Sequence, residues 1–482
     1  MQKVQIAIIG SGFGGIGVAI RLKQEGIEDF IIFERADDVG GVWRDNTYPG
    51  CACDVQSHLY SLSFVPNPEW TRSFSPQAEI WEYLRRCSRD YGLLPHIRFG
   101  HSVDLAVWEN DSQRWRIATS QGTYRALVLI SAAGSFSEPK LPRLTGLETF
   151  KGKVFHSSRW DHKFEIKRSR VAVIGTGASA IQFVPAIQPQ VDRLHLFQRT
   201  APWIVKRHDR AFVSLERRLF RVFPPAQRLM RAAIYSFREA TGFAFRHPWA
   251  MRLLQPMARR HLRRSVADPA LRAKLTPHYL MGCKRILISN DYFPALTQSN
   301  VELVTAGITE VREHSVIDNE GVERTVDAII FATGFHVSDF PFASRVRGSD
   351  GRTLSEVWAG SPKALAGTTV TGFPNLFLLP GPNTGLGHSS VVYMLEAQID
   401  HVLSALRYMR RHDVVLIEAR AEAQAAYVKA VDNKMSGTVW TAGGCSSWYL
   451  DKTGRNSTLW PTDSWRFRRR VARFAPREYM MK

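Results

Sequence analysis

The hydrophobic pattern near the start of the chain predicts a strand, a turn and a helix in close succession. Residues 5–9 are typical of a strand and lead directly into Gly10-Ser11-Gly12-Phe13-Gly14-Gly15. A helix is expected from about residue 16 to residue 24, and a second apolar strand follows at residues 30–33. The glycines therefore fall at the turn between a strand and a helix, and Glu34 ends the next strand.

The same order of elements occurs a second time. Residues 170–174 have a strand pattern that runs into Gly175-Thr176-Gly177-Ala178-Ser179-Ala180, and residues 194–197 supply the next strand. No short tandem repeat and no low-complexity linker accompanies this duplication. The chain is therefore predicted to be an α/β protein built from two Rossmann-like units.

The stretch between residues 206 and 275 has a different, helical pattern. Apolar residues such as Leu215, Leu219 and Val222 recur there at helical spacing. Helix breaks are expected at the prolines of this stretch, which are Pro224-Pro225, Pro248 and Pro256. The stretch is predicted to be a helical insert in the second unit.

The composition narrows the class of protein. A chain of 482 residues with 44% hydrophobic and 22% charged residues has room for two or three domains and a large core. A small binding module and a disordered chain are excluded. No apolar run reaches the ~18–20 residues of a membrane helix, and the first strand leaves no room for a signal peptide. We therefore expect a cytoplasmic enzyme.

The cysteines suggest neither disulfide bonds nor a zinc site. They form no C-x-x-C pair and do not make up the dense, even-numbered set of a secreted scaffold. Free thiols are expected at all five positions, which are Cys51, Cys53, Cys87, Cys283 and Cys445. No metal ligands are predicted.

The net charge of +20 is concentrated in two segments. Residues 206–274 contain 17 basic and 4 acidic residues, and residues 465–482 contain 7 basic and 1 acidic residue. The remaining chain is close to neutral, so a nucleic-acid surface is not expected. Two interpretations stay open for the insert: a solvated helical subdomain whose field attracts an anionic cofactor, or a basic amphipathic face that contacts anionic membrane.

The two glycine turns predict two different dinucleotides. Glycines at positions such as Gly10, Gly12 and Gly15 let the backbone approach a pyrophosphate at a helix N-terminus. Glu34 lies 24 residues after Gly10, where a carboxylate can accept hydrogen bonds from a ribose. This first unit is predicted to bind FAD.

The second unit has small residues at the same three positions, Gly175, Gly177 and Ala180. The same spacing of 24 residues places Arg199 where the first unit has Glu34. Because a guanidinium binds phosphate in two-pronged fashion, this unit is predicted to prefer NADPH over NADH. A structural ion pair between Arg199 and a surface acid is the alternative.

Three classes of flavoprotein use such a pair of sites. They are flavin disulfide reductases, NADPH oxidases or ferredoxin-type reductases, and flavin monooxygenases. A disulfide reductase needs two cysteines that can bridge beside the flavin, whereas Cys51 and Cys53 are separated by one residue. The first class is therefore disfavoured.

A longer motif lies between the two units. Residues 150–161 read FKGKVFHSSRWD, which matches the pattern F-x-G-x-x-x-H-x-x-x-W followed by Pro or Asp at every specified position. Residues 40–54 contain G-G-x-W with Trp43, then Tyr-Pro-Gly and Asp54. In both motifs the chain resembles type I Baeyer-Villiger monooxygenases, within the class B flavin-containing monooxygenases. The resemblance covers almost the whole chain.

This resemblance implies a catalytic pair. In the family an active-site Arg follows a Lys just before a strand, and Lys284-Arg285 looks like that element. Arg285 is expected to stabilise the anionic flavin C4a-peroxide and the oxyanion that follows. Asp54 is expected to orient Arg285, and Lys284 and Trp43 are expected to contact the cofactors.

Three further residues carry over from the family by position. His156 is expected to couple the nucleotide domains rather than act as a base, with a satisfied core histidine as the alternative. Trp448 resembles the indole that closes over NADP⁺, and Asn383 lies in a loop similar to the family's flavin contact. Residues 450–455 depart from the Gly-Ala-Asn continuation of cyclic-ketone enzymes, so the resemblance implies no particular ketone.

The predicted architecture follows from these positions. Residues 1–140 and 338–482 are expected to form the FAD domain, and residues 141–337 the NADPH domain with its basic insert at 206–275. The predicted activity is NADPH-dependent insertion of one oxygen atom of O₂ next to a ketone carbonyl, giving an ester or lactone. Oxidation at S or N, and an NADPH oxidase that makes hydrogen peroxide, remain the alternatives. The partners expected are the ketone and O₂, and no oligomeric state is predicted.

Overall fold

The protein is described by a computed structural model over residues 2–338 and 340–482. Strands and helices alternate through most of this range. The strands are β1 (Gln2–Ile9), β2 (Phe30–Phe33), β3 (Ile97–Arg98), β4 (Val103–Glu109), β5 (Arg114–Thr119), β6 (Gly122–Ser131), β7 (Lys153–His156), β8 (Arg170–Ile174), β9 (Arg193–Phe197), β10 (Ile204–Val205), β11 (Leu287–Ile288), β12 (Val301–Val304), β13 (Ile308–Arg312), β14 (Ser315–Asp318), β15 (Glu323–Thr325), β16 (Ala328–Phe331), β17 (Val346–Arg347), β18 (Leu376–Leu378), β19 (Ile417–Ala419) and β20 (Tyr479–Met481).

The helices flank the sheets and form most of the insert. They are α1 (Phe13–Gln24), α2 (Val42–Asp45), α3 (Gln77–Asp90), α4 (Ala180–Ile187), α5 (Ser214–Val222), α6 (Pro224–Arg246), α7 (Pro248–Ser265), α8 (Pro269–Lys274), α9 (Tyr292–Leu296), α10 (Leu354–Trp358), α11 (Val391–Arg411), α12 (Ala421–Met435), α13 (Val439–Ala442) and α14 (Ser464–Val471). Short 3₁₀ turns lie at Leu94–His96, Leu147–Thr149, Ser157–Arg159, Pro341–Arg345 and Pro476–Glu478.

The larger sheet contains the first glycine turn. Its strand order is β17-β4-β5-β6-β1-β2-β3, and β18 pairs with β6 beyond the end of β5. The pairs β1 with β2 and β1 with β6 are parallel. Helices α1 and α11 pack against each other on this sheet and contribute to its buried core. The turn after β1 therefore lies at the carboxyl edge of parallel strands, where ligands bind in open α/β sheets.

The smaller sheet contains the second glycine turn. Its five strands are parallel in the order β12-β9-β8-β16-β7. Helix α4 follows the turn after β8 and packs with α9 on this sheet. The larger sheet is mixed, because β4, β5 and β6 pair antiparallel. The predicted α/β class with two Rossmann-like units is confirmed.

The insert forms the helices α5 to α8, and three of them begin at a proline. Pro224, Pro248 and Pro269 occupy first-turn positions, where a missing N–H costs nothing. The predicted break at Pro256 is wrong, because α7 continues through it. Helix α7 buries Met251, Ala258 and Leu262, and this packing outweighs the one hydrogen bond that Pro256 removes. None of the helices in the described ranges has the length and apolar character needed to cross a bilayer.

Candidate active site between the two glycine turns

A cavity of about 1280 Å³ lies where the two sheets meet, and both glycine turns line it. Most of the predicted site residues lie on its wall. They are Gly10, Gly12, Glu34, Trp43, Asp54, Gly175, Gly177, Arg199, Lys284, Arg285 and Trp448. The fold therefore brings together residues that are up to 438 positions apart in the chain.

The first turn is shaped for a ligand that touches the backbone. Gly10 has φ of +93°, and a Cβ there would come within 2.8 Å of the Ala132 carbonyl oxygen. A Cβ on Gly12 would meet only Gly41 Cα at 3.8 Å, so the space above Gly12 is open. Gly15 is packed beneath the turn, because a Cβ there would collide with Gly10 O. Gly12 also precedes α1 without any side-chain cap, which leaves helix N–H groups available for a phosphate.

Glu34 is held as a carboxylate at the edge of this turn. One of its oxygens accepts bonds from Ser11 N and Ser11 Oγ, and the other accepts bonds from Ala36 N and Arg44. Burial alone would raise the pKa of Glu34, but the Arg44 guanidinium and the Ser11 donors lower it further than burial raises it. The side chain is thus fixed and ionised next to the open space above Gly12.

The second turn has the same shape. Gly175 has φ of +108°, and a Cβ there would come within 2.5 Å of the Ala332 carbonyl oxygen. No atom lies within 4 Å of a Cβ built on Gly177. Ala180 is fully buried at the start of α4. Gly15 and Ala180 therefore act below the cavity, where they permit the turn to pack on the helix.

Two cations lie together beside the second turn. The positive charge of Arg199 lowers the pKa of Lys284, after the larger effect of burial, so the two side chains are close enough to repel each other. Within the described ranges neither side chain has a carboxylate within salt-bridge distance. Two unneutralised cations at one site fit a phosphate, and the alternative of a structural ion pair at Arg199 is not observed among the described residues.

Arg285 and Asp54 form a two-pronged ion pair at the cavity wall. Arg285 Nε donates to Asp54 Oδ2 at 2.9 Å, and Arg285 Nη2 donates to Oδ1 at 2.8 Å and to Oδ2 at 2.7 Å. The Asp54 charge raises the pKa of Arg285 above its usual value. The pKa of Asp54 is lowered, because Arg285 outweighs the opposite effect of burial. Both groups are therefore charged.

Two neighbours of this pair were missed from the sequence. Arg238 on α6 donates to Gln56 Oε1 at 2.8 Å and to the Asp54 carbonyl oxygen at 3.3 Å. It is one of 17 basic residues in the insert, and no local signal marks it. Tyr449 is buried, and its hydroxyl lies near enough to Arg285 and Asp54 to interact electrostatically with them, while burial raises the pKa of Tyr449 to about 12. Its position directly after Trp448 is the signal that could have identified it.

Aromatic side chains form part of the cavity wall. Trp43 donates through Nε1 to the Tyr60 hydroxyl at 3.1 Å, which fixes its indole. Trp448 is 36% exposed and contacts Phe136 and Tyr449 edge to face or at a tilt, with ring centroids 5.7 Å and 4.3 Å apart. Phe136 in turn contacts Phe335. These rings can exclude water from the region beside Arg285.

Besides Gly15 and Ala180, two further predicted residues, Asn383 and His156, lie outside the cavity lining. The side-chain amide of Asn383 donates to the Asn456 and Leu459 carbonyl oxygens, and its Oδ1 accepts a bond from Arg455, so the side chain holds two loops together. Its neighbours Pro382 and Thr384 line the cavity, and the flavin contact of this loop stays a prediction. His156 is buried beside Phe335, and burial lowers its pKa to about 4. A histidine with so low a pKa is neutral at pH 7 and a weak base, which fits the expected coupling role better than acid-base work.

The expectation of five free thiols is wrong. Cys283 and Cys445 form a disulfide with their Cα atoms 6.2 Å apart, while Cys51, Cys53 and Cys87 are free. The two bonded residues are 162 positions apart, so their spacing along the chain gave no sign that the fold brings them together.

The residues of the cavity fit two dinucleotides. Each turn has an open backbone surface, one turn carries a fixed carboxylate, and the other carries two unneutralised cations. FAD has a diphosphate and an unmodified ribose, and NADPH has a third phosphate, so the difference in charge between the turns matches the difference between the two molecules.

Comparison with known proteins identifies the family. Residues 3–224 match the model of the flavin-binding monooxygenase-like family. The chain is 50% identical to a Baeyer-Villiger monooxygenase of Streptomyces coelicolor, over 100% of this chain and 93% of that protein.

Solved structures agree over the full length. Cyclohexanone monooxygenase from Rhodococcus sp. Phi1, bound to NADP⁺, superposes with a TM-score of 0.89 at 27% identity, covering 100% of this chain and 99% of that one. OTEMO in complex with FAD and NADP superposes with a TM-score of 0.90 at 25% identity, covering 99% of both chains. The chain therefore belongs to the Baeyer-Villiger monooxygenases, flavoenzymes that use FAD and NADPH to insert an oxygen atom of O₂ next to a carbonyl.

Proposed function

We propose that this enzyme converts ketones into esters or lactones and that Arg285 is its central catalytic residue. The observation that carries the proposal is the hydrogen bonding of the guanidinium. Asp54 occupies Nε and Nη2, and Nη1 has no hydrogen-bond partner among residues 2–338 and 340–482. A charged, oriented donor with one free nitrogen on the cavity wall is suited to bind an oxyanion.

Neighbouring residues orient the Arg285 guanidinium and exclude water from it. Bound FAD would supply the activation of O₂. Asp54 holds the fork of Arg285 in one orientation, so that little reorganisation is needed when negative charge develops on the substrate oxygen. Arg238 restrains the Asp54 backbone from the side of the insert. Trp448 and its neighbouring rings exclude water, which strengthens the interaction between Arg285 and the developing charge.

The test of this function is a product analysis. Purified enzyme is incubated with NADPH, O₂ and matched linear, cyclic and aryl ketones, together with the corresponding sulfides. Esters or lactones with one added oxygen are expected from at least one class of ketone. Sulfoxide alone would favour S-oxidation, and hydrogen peroxide without any oxygenated product would favour the NADPH oxidase.

We further propose that residues 1–140 and 338–482 bind FAD and that residues 141–337 bind NADPH. Two features support this division. All strands of the larger sheet come from the first set, and all strands of the smaller sheet come from the second. Glu34 and the pair of Arg199 and Lys284 lie on opposite units, which suits an unmodified ribose on one side and a 2′-phosphate on the other.

Arg199→Ala is expected to weaken NADPH binding about 10- to 150-fold, because one charge-assisted contact to a phosphate contributes roughly 1.5–3 kcal/mol. NADH binding should change little, since NADH lacks the 2′-phosphate. Fluorescence titrations of NADPH and of NADH with the enzyme measure the two affinities. The matched control is Arg168→Ala, which removes an arginine that does not line the cavity. Equal losses for NADPH and NADH would show that Arg199 does not contact the phosphate.

We also propose that the insert docks on anionic membrane. Its helices expose many large apolar side chains: Leu215, Leu219, Val222, Phe223, Leu229, Phe237, Phe243, Trp249, Leu253, Leu254 and Met257. Leu215, Leu219 and Val222 recur on one face of α5, and Trp249, Leu253 and Met257 recur on one face of α7. An exposed apolar surface of this size indicates a contact with another surface.

Charge complementarity favours a lipid surface as the partner of the exposed apolar face of the insert. Among the described residues, no carboxylate pairs with several exposed arginines of the same helices, which are Arg228, Arg252, Arg260, Arg263 and Arg264. The second basic segment adjoins the insert, because Arg246 pairs with Asp463 at 2.8 Å, directly before α14. Apolar side chains surrounded by unpaired cations fit a bilayer with anionic headgroups.

Vesicle sedimentation tests this proposal. The enzyme is expected to bind phosphatidylcholine vesicles that contain phosphatidylglycerol, to release them at high salt, and to bind pure phosphatidylcholine weakly. Leu253→Asp should reduce binding at least ~10-fold, because a buried Leu contributes about 1.5–3 kcal/mol. The control is Val322→Asp, an exposed apolar residue far from the insert in sequence. Salt-independent binding, no binding, or a dimer that Leu253→Asp dissociates would contradict the proposal.

A further inference from the structure

The Cys283–Cys445 disulfide connects two parts of the candidate site. Cys283 directly precedes Lys284 and Arg285, and Cys445 lies three residues before Trp448. Lys284, Arg285 and Trp448 all line the cavity. The bond therefore ties the segment that contains Lys284 and Arg285 to residues 443–448, which we call the Trp448 loop.

Few other contacts restrain the Trp448 loop. Leu280 N donates to the Gly443 carbonyl oxygen at 3.0 Å, and Ser447 accepts bonds from Tyr449 N at 3.2 Å and from Leu450 N at 3.1 Å. Cys445 also packs against a buried cluster. Trp448 is exposed and is held mainly through its ring contacts. A covalent bond at Cys445 is thus a large part of what fixes the exposed end of this loop to the protein.

The remaining thiols do not compete for this bond. Burial raises the pKa of Cys51 to about 12 and that of Cys87 to about 11, and it raises the pKa of Cys53 as well. The thiolate is the form that attacks a disulfide, so these cysteines are poor partners for exchange. Cys283 is 1% exposed, whereas Cys445 is only partly buried. Cys445 is therefore the more exposed residue of the pair, and its sulfur is the expected point of attack by an external reductant.

We infer that Cys283 and Cys445 form a reversible redox site that controls the mobility of the Trp448 loop and the release of NADP⁺. The inference on NADP⁺ rests on the proposed binding of NADPH beside Lys284. With the bond closed, the loop stays against the cavity and the coenzyme dissociates slowly. With the bond open, the loop moves away more often and the coenzyme dissociates faster.

Opening the disulfide needs a dithiol as the reductant, and forming it again needs a peroxide as the oxidant. One thiolate of the dithiol attacks Cys445 Sγ, the bond between the two protein sulfurs breaks, and Cys283 leaves as a thiolate that takes up a proton. The second thiol of the reagent then displaces Cys445, which leaves two protein thiols and the oxidised reagent. In the reverse direction hydrogen peroxide accepts two electrons from the two thiols, giving the disulfide and two water molecules.

Thiol counting tests whether the bond forms and opens. Unfolded enzyme is alkylated with iodoacetamide and analysed by mass spectrometry, before and after treatment of the native enzyme with dithiothreitol. Three labelled cysteines are expected before reduction and five after it, with a return to three on addition of hydrogen peroxide. Five labelled cysteines under all conditions, or three that dithiothreitol cannot change in the native enzyme, would overturn the inference.

A second measurement tests the consequence for the loop. Hydrogen exchange of residues 443–450 in the FAD-bound enzyme is expected to be at least ~10-fold faster after reduction, and stopped-flow displacement should show faster NADP⁺ release. Cys445→Ser should behave like the reduced enzyme and should no longer respond to dithiothreitol. The control is Cys87→Ala, which removes a free buried thiol and should respond like the parent enzyme.

The two sets of results separate this inference from the proposed function. Thiol counts and loop exchange require no ketone, so they stand even where no ester forms. If exchange and NADP⁺ release are identical in the oxidised, reduced and Cys445→Ser forms, the redox site has no role in the loop. If the loop responds but NADP⁺ release does not, the control of release is excluded, and Arg199→Ala decides separately whether NADPH lies beside Lys284.

Discussion

Arg285→Ala is expected to lower the rate of ester formation about 100- to 1000-fold while flavin reduction by NADPH remains measurable, because removing one fixed donor to an oxyanion typically has this cost. Hydride transfer needs only the stacked coenzyme and flavin, and neither turn contains Arg285. The reducing equivalents should leave as hydrogen peroxide. Stopped-flow absorbance measures reduction, gas chromatography measures the ester, and a peroxidase-coupled assay measures the peroxide.

Three further variants make this result specific. Arg285→Lys keeps the charge but loses the planar fork, so it should recover little ester formation. Asp54→Ala leaves the guanidinium present but poorly oriented and should show a milder defect of the same kind. The control is Arg170→Ala, because Arg170 forms a similar two-pronged pair with Asp327 outside the cavity. An Arg285→Ala enzyme that makes ester at the parent rate would remove Arg285 from the proposed mechanism.

The sequence predicted those parts of the molecule that depend on short spacing. The glycine turns could be recognised because a strand, a tight turn and a helix must be contiguous, and the confirmed α/β class follows from the repetition of that unit. Gly15 and Ala180 illustrate the limit of such a motif. Both belong to the glycine pattern, but they lie beneath the turns and do not line the cavity, since the pattern does not separate contact with a ligand from packing within the protein.

The features that depend on distant pairs could not be predicted in this way. The pairing of Asp54 with Arg285 was expected only from the family resemblance, because the two residues lie 231 positions apart and no spacing along the chain connects them. The same reason explains the missed disulfide and the missed contact of Arg238 with Asp54. At Asn383 the sequence did not show that the backbone adopts φ of +56° or that the carbonyl oxygens of residues 456 and 459 accept hydrogen bonds from the side-chain amide.

Gly12→Val is expected to abolish FAD binding without unfolding the protein. Gly12 has φ of −82°, which any residue adopts, and a Cβ there meets no protein atom closer than 3.8 Å. The added side chain would instead fill the space in which a pyrophosphate must approach the backbone, and such overlap should weaken FAD by at least ~100-fold. The variant should purify colourless, with a circular dichroism spectrum and a melting temperature close to those of the flavin-free parent.

Gly177→Val is the matched control for this prediction, because no atom lies within 4 Å of a Cβ at that position either. It should stay yellow with one FAD per chain, since the first turn is intact, but NADPH should no longer reduce its flavin at the parent rate. Dithionite, which needs no coenzyme site, should still reduce it. Gly12→Val is thus expected to lose FAD, whereas Gly177→Val is expected to keep FAD and lose reduction by NADPH. A yellow Gly12→Val protein, or a colourless Gly177→Val protein that folds, would contradict the assignment of FAD to the first turn and NADPH to the second.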